Sequence, residues 1–173
     1  MTKEIHLAAG CFWGAEHYLK LIDGVTLTEV GFANGNTENP TYKEVYTDQT
    51  GYAEAVRVQY DPERIGLETL LRLYFKSIDP LSLNKQGEDV GTRYRTGIYY
   101  SDSDDLATIQ KVWDEVAAAC GQPLRVEVLP LRNFYRAEDY HQDYLDKNPD
   151  GYCHLPAALF EFAKNFRAGG NNE

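Results

Sequence analysis

Gly10-Cys11-Phe12-Trp13-Gly14 is the densest concentration of reactive chemistry in this 173-residue chain. A free thiol has a pKa near ~8.5, so only a few per cent is thiolate at neutral pH. Unpaired N–H groups and about half a positive charge gather at a helix N-terminus and favour the anion. The pentapeptide lies between a short apolar run and a helical pattern, which puts Cys11 where a thiolate would be stabilised. Gly10 permits a tight turn there, and Gly14 permits close backbone approach. Phe12 and Trp13 supply apolar walls for a pocket beside the sulfur. The competing reading makes Cys11 a small buried hydrophobe among core aromatics, and spacing alone leaves both standing.

The remaining chemistry-bearing residues are scattered. Three cysteines, Cys11, Cys120 and Cys153, are too few and odd in number for a secreted disulfide scaffold. The four histidines are His6, His17, His141 and His154. Only Cys153-His154 brings potential metal ligands together, and adjacent residues are too close for a usual zinc site. Asp139 and His141 read as a solvated or locally hydrogen-bonded face. No phosphate loop or dinucleotide fingerprint occurs, so no bound cofactor and no metal are expected.

The pattern around these residues predicts the elements that must hold them. Residues 4–9 read as a buried strand ending at Gly10, and 11–22 as a helix with apolar residues at helical spacing. Residues 25–33 form a β-branched strand. The stretch 34–51 is rich in Asn, Thr, Gly and Pro and reads mostly as loop; so long a loop in a compact domain is usually functional. Residues 53–60 alternate as a strand, 67–78 as an amphipathic helix, and a second polar loop covers 79–94. A strand at 97–101, a helix capped by Asp102 or Ser103 and closed at Cys120-Gly121, and a strand at 125–131 follow. A tyrosine-rich helix over 137–147 stops at Asn148-Pro149. A terminal helix over 157–166 precedes a frayed AGGNNE tail. Helices interleave with few strands, too irregularly for a doubly wound parallel sheet. The expected fold is α+β: a two-layer sandwich of helices on a mixed or antiparallel sheet, with a ferredoxin-like β-α-β-β-α-β core and an irregular C-terminal segment. One catalytic domain spans 1–173, with 148–173 a mobile segment carrying Cys153.

Composition excludes several roles. Hydrophobic residues are 43% and charged residues 25%, ordinary for a globular domain. A net charge of −10 disfavours nucleic acid and anionic membrane surfaces as partners. Thirteen tyrosines, seven phenylalanines and two tryptophans suit stacked cores or an aromatic-lined pocket. Ten residues, Lys3, Glu4 and His6 among them, precede Cys11, whereas a secretory signal needs a longer apolar stretch. A cytoplasmic, reducing location and a monomer are expected.

GCFWG at 10–14 resembles the catalytic motif of the A-type peptide methionine sulfoxide reductases. The segments NPTYKEV (39–45), TGYAEAV (50–56), DVGTRYR (89–95), EDYHQ (138–142) and KNPDGYC (147–153) resemble that family in the same order. Each match is weak alone; a collinear series spread over most of 4–155 is specific. The resemblance implies reduction of methionine S-sulfoxide, in proteins or as the free amino acid, with oxidised proteins or peptides as substrate. It implies that Cys11 attacks the sulfoxide and becomes a sulfenic acid. Glu54 matches the acid, and Tyr42 and Tyr94 match two phenols that hydrogen-bond the sulfoxide oxygen. Phe12 and Trp13 match the pocket for the methionine methyl group, and Asp89 a carboxylate on its polar side. Cys153 matches the resolving thiol that forms a Cys11–Cys153 disulfide, recycled by thioredoxin or another dithiol as external reductant. Cys120 matches no motif.

The chain departs from the family pattern at Tyr52, where His is frequent, at Arg93, where Gln is frequent, and at Thr96-Gly97, where Ser-Ala is frequent. It has no cysteine after Cys153, which implies a two-cysteine cycle. Two readings compete with the reductase: a cysteine hydrolase or acyltransferase using Cys11 with His141 as base, and a non-catalytic peptide-binding module with an aromatic groove.

Overall fold

In the computed structural model, which describes residues 1–169, the chain begins with β1 (Lys3–Ala9), α1 (Phe12–Lys20) and β2 (Val25–Ala33). There follow α2 (Tyr42–Val45), β3 (Ala53–Tyr60), α3 (Leu67–Lys76), β4 (Lys85–Gln86), β5 (Asp89–Val90) and β6 (Thr96–Tyr100). The second half holds α4 (Leu106–Cys120), β7 (Glu127–Pro130), β8 (Phe134–Arg136), α5 (Tyr144–Lys147) and α6 (Ala157–Asn165).

The main sheet has the strand order β7-β6-β1-β3-β2-β8. Its inner strands β6, β1, β3 and β2 are antiparallel throughout, the ferredoxin-like core expected from the sequence. Each edge carries an addition. Strand β7 joins β6 in parallel, which requires the crossover that α4 supplies, and β8 joins β2 antiparallel.

Period-two alternation distributes the side chains of the central strands. Ile5, Leu7 and Ala9 of β1, Val30 and Phe32 of β2, and Val56, Val58 and Tyr60 of β3 face one core with Tyr18, Leu19, Leu70, Leu71 and Tyr74 of α1 and α3. Ala8, Ala33, Ala53, Ala55 and Tyr99 form a smaller cluster under Leu131 and Phe134. Each large apolar side chain fully buried this way contributes roughly 1.5–3 kcal/mol. The same parity puts Glu54 on the helix side of β3, so an ionisable group faces the larger core.

The polar loops are more ordered than their composition suggests. Residues 34–51 hold α2, closed by a reciprocal capping box between Thr41 and Glu44. Residues 79–94 fold into the β4–β5 hairpin and a 3-10 turn at Thr92–Tyr94. The single helix expected over 137–147 does not form. Gln142 breaks it: its side chain accepts from Val30 N and donates to Val30 O, like an added strand rung, and Asp143 takes φ 53°. A 3-10 turn at Asp139–His141 and the short α5 result. Strand β8 also carries no sequence signal, because three residues are too few to show alternation. Helix α6 packs against α1. Residues 170–173 of the expected frayed tail lie outside the described residues.

Candidate active site

Strand β1 ends at Ala9, and Gly10, at φ 81°, turns the chain into α1 with Cys11 as its N-cap. Cys11 is 8% exposed. The backbone N–H groups of Trp13 and Gly14 hydrogen-bond its sulfur and favour the thiolate, as a helix start should. Burial nevertheless dominates and pushes the thiol well up, with the Glu54 carboxyl adding to it. The geometry is the expected one, but the resting group is a neutral thiol.

Glu54 is 1% exposed and aims at the same helix start. Its Oε1 accepts from Phe12 N at 3.0 Å, while Oε2 has no hydrogen-bond partner among the described residues. Burial raises its pKa to about 8, against the pull of the Phe12 N–H and the Arg93 guanidinium. The carboxyl therefore keeps a proton at neutral pH, on an oxygen free to donate it. Tyr42 opens α2 and Tyr94 closes the 3-10 turn after β5. Burial raises both phenols, and both feel Glu54 and Cys11, so the two polar loops converge on the thiol.

The aromatic wall is wider than Phe12 and Trp13. Phe12 lies against Phe32 and His141, at 5.7 and 5.2 Å between ring centroids. Tyr144 stacks on Trp13 at 3.8 Å, and Tyr42 meets His141 at 4.3 Å. Glu16 fastens this wall to α1: its buried carboxylate accepts from Asp143 N at 2.8 Å and from Thr28 Oγ1 at 2.9 Å. His141 is fully buried, and its Nδ1 accepts the Trp13 indole N–H at 2.9 Å. Burial keeps the ring neutral, so Nε2 carries its hydrogen. A hydrolase base needs a bare nitrogen turned to the thiol; His141 instead serves as a wall.

The irregular stretch after α5 returns to α1. A Cβ built on Gly14 would lie 2.9 Å from Cys153 Sγ, so the second thiol rests on the same first turn that Cys11 caps. His154 packs beside it, with Nε2 3.1 Å from the Ala9 carbonyl. Tyr152 donates to Asp89 Oδ1 at 2.9 Å, linking this stretch to the β4–β5 hairpin. All three cysteines are free thiols. Cys120 ends α4 and packs at the core's margin.

The structure thus gathers Cys11, Phe12, Trp13, Tyr42, Glu54, Asp89, Tyr94 and Cys153 around one helix start. It adds Tyr144, Tyr152, His154 and Arg93, to which sequence reasoning gave no role at the site. For Tyr152 and His154 a signal existed, since they flank Cys153. Tyr144 carries no such signal, because its stacking on Trp13 follows from the break at Gln142 and Asp143. Among the described residues no group of three or more His, Cys, Asp or Glu is placed to hold a metal ion. Likewise, none of their helices is long and apolar enough to cross a membrane.

The chain that holds this buried thiol, protonated carboxyl and second thiol matches known proteins along most of its length. The family model described as peptide methionine sulfoxide reductase matches residues 3–168. The peptide methionine sulfoxide reductase MsrA of Lachnoclostridium phytofermentans is 56% identical over 165 residues, 95% of this chain and 99% of that relative. Mxr1 of Saccharomyces cerevisiae in its reduced form superposes with a TM-score of 0.85 at 39% identity, covering 90% of this chain and 91% of Mxr1. Mxr1 in complex with Trx2 matches with a TM-score of 0.59 at 29% identity over 83% of this chain and 84% of Mxr1. With the model spanning nearly the whole fold and more than half of all positions shared with a full-length relative, this chain belongs to the peptide methionine sulfoxide reductase family.

Proposed function

We propose that the enzyme reduces methionine S-sulfoxide in oxidised proteins or peptides through a two-thiol cycle run by Cys11 and Cys153. The observation that carries this reading is the juxtaposition at α1: a buried Cys11, a protonated Glu54 with one free oxygen, and the Cys153 sulfur resting on Gly14.

In the first step the sulfoxide lies with its methyl group against Phe12 and Trp13 and its oxygen toward Glu54, Tyr42 and Tyr94. Glu54 gives its proton to the oxygen as Cys11 sulfur attacks, and the carboxylate takes the proton released by the thiol. The hydroxyl then passes from the substrate sulfur to the Cys11 sulfur: the substrate S–O bond and the transient sulfur–sulfur bond break, methionine leaves, and Cys11 becomes a sulfenic acid. Asp89, held by Tyr152, orders the polar side. In the second step Cys153 sulfur attacks the sulfenic sulfur, the disulfide forms, and the hydroxyl leaves as water with the Cys153 proton. The stretch 148–156 is the segment that moves to allow it, since disulfide geometry requires Cα atoms within about 7 Å. A dithiol protein of the thioredoxin type then reduces the disulfide by thiol exchange; the Mxr1–Trx2 complex supports that choice. Thiols supply every electron, so the cycle runs without a resident cofactor, in a reducing cytoplasm and on a monomer, with no nucleic acid or membrane partner.

Exposing fully reduced protein to a methionine sulfoxide peptide without reductant tests the cycle. Intact mass should fall by two hydrogens as one methionine forms, and Cys11→Ser should abolish both changes. Peptide mapping should then join Cys11 to Cys153. An unchanged mass with the sulfoxide intact would overturn the reading.

A further inference from the structure

The cycle leaves one buried charge beside the site without a role. Arg93 is 8% exposed, and its side chain is fixed on three sides. Asp48 accepts from Arg93 Nη1 at 2.5 Å and from its backbone N at 3.0 Å. The guanidinium carbon lies 4.2 Å from the Tyr46 ring and 4.3 Å from the Tyr94 ring. A flat cation between two rings is held by the ring faces as well as by its carboxylate, so it cannot swing away. Its neighbour in sequence, Tyr94, is one of the phenols placed on the substrate oxygen.

We propose that Arg93, clamped between Tyr46 and Tyr94 and anchored by Asp48, is a positioning residue that sets the alkaline limit of the sulfoxide step by opposing the proton on Glu54. This rests on the assignment of Glu54 as the acid. The 3-10 turn that carries Arg93 packs against β3, the strand that carries Glu54, and the groups that act on Glu54 there are Arg93, Asp48 and Asp89 with their charges, the Cys11 thiol, and the Tyr42 and Tyr94 phenols. Arg93 is the single cation in that set. Burial and the two aspartates favour the neutral carboxyl, and Arg93 favours the carboxylate. Its contribution keeps the acid strong enough to give its proton up. Without it the carboxyl would hold the proton too tightly to transfer it well. Asp48 has the opposite sign of effect, directly and by neutralising Arg93.

The test is the pH dependence of methionine formation in a single turnover without reductant, for the wild type, Arg93→Gln, Arg93→Lys, Asp48→Asn and Glu54→Gln. A nearby charge of this kind moves a carboxyl by about one pH unit. Arg93→Gln should therefore carry the alkaline limb about one unit higher, and Asp48→Asn should carry it lower. Arg93→Lys keeps the charge without the planar stack and should keep the limb near its wild-type position. Loosened packing alone would slow every variant without moving the limb in opposite directions. A limb that stays put in both Arg93→Gln and Asp48→Asn, or moves the same way in both, overturns the inference. Persistence of the wild-type limb in Glu54→Gln would instead remove Glu54 as the acid, a failure distinguishable from that of Arg93.

Discussion

Replacing Gly14 with alanine should separate the two chemical steps of the cycle. The new Cβ would stand 2.9 Å from Cys153 Sγ and 3.1 and 3.2 Å from His154 Nδ1 and Cε1. Comfortable non-bonded contact for such atoms begins at about 3.5–4.0 Å, so the thiol must retreat by roughly 0.6–1 Å. Helix α1 does not suffer, because alanine is favoured over glycine in a helix interior by about 1 kcal/mol. The displacement therefore falls on the irregular stretch after α5. Bond formation between two sulfurs tolerates little error, since the S–S bond is about 2.05 Å with a restricted dihedral. A misplacement of about 1 Å costs on the order of 100-fold in rate. Methionine release in the first turnover should stay within about twofold of wild type, while disulfide formation slows by about 10- to 100-fold on that geometric ground. Rapid-quench sampling, with methionine counted in one aliquot and free thiols and trapped sulfenic acid in another, reads both steps. A wild-type rate of disulfide formation would refute the argument that Cys153 approaches along Gly14. A slowed methionine step would show that the methyl group obstructs the substrate instead.

Cys153→Ser should still form one methionine per enzyme but lose turnover driven by a thioredoxin-type dithiol; full dithiol-driven turnover in a steady-state assay would remove Cys153 from the cycle. Glu54 has its pKa raised by burial from 4.5 to about 8, so the folded state holds one more proton than the unfolded chain between those values. Its contribution to stability is complete below pH 4.5 and is lost as pH rises through about 8, on the order of 5 kcal/mol in all. Denaturant unfolding of Glu54→Gln should lack this part of the slope, and equal slopes in the two proteins would contradict the buried neutral carboxyl. Gly121 closes α4 in the left-handed region at φ 73°, with open space around a built Cβ. Gly121→Ala should lower stability by about 1 kcal/mol from backbone strain alone, read by thermal melting, with reductase activity unchanged.

The parts of this fold written in local periodicity were legible, and those set by tertiary contacts were not. Strands β2 and β3 begin and end at the residues that β-branched content in the first and alternation in the second predict, and Asp61-Pro62 and Asp23-Gly24 mark the breaks. Alternation in β3 also carries the parity that turns Glu54 toward the helices. Yet a lone carboxylate in a strand reads as solvated until the partner face is known, and only the family resemblance singled it out. The 137–147 segment misleads because its apolar spacing suits a helix. What prevents one is the Gln142 side chain satisfying both backbone groups of Val30, a residue more than a hundred positions away. The Tyr144–Trp13 stack and the Tyr152–Asp89 hydrogen bond were hidden for the same reason. Arg93 was visible only as a departure from a family pattern, and its burial between two rings gives that departure a physical meaning.

Burial of the nucleophile looks at first like a defect, because it keeps Cys11 as the less reactive thiol. The proton count of the proposed cycle explains it. The sulfoxide oxygen must gain a proton as its bond to sulfur breaks, and the attacking thiol must lose one. Cys11 and Glu54 each disfavour ionisation of the other, so the resting site keeps both protons. A thiolate held permanently would meet the first requirement poorly, since its charge would bind the Glu54 proton more firmly. It would also stand open to any passing oxidant, because the thiolate is the form that peroxides attack. With both groups neutral, attack becomes favourable only when a polarised sulfoxide arrives to accept the Glu54 proton and free the carboxylate to receive the one from Cys11. The buried site therefore couples nucleophile activation to the presence of substrate. The backbone N–H groups of Trp13 and Gly14 are already aligned for the negative charge that develops on sulfur as attack proceeds.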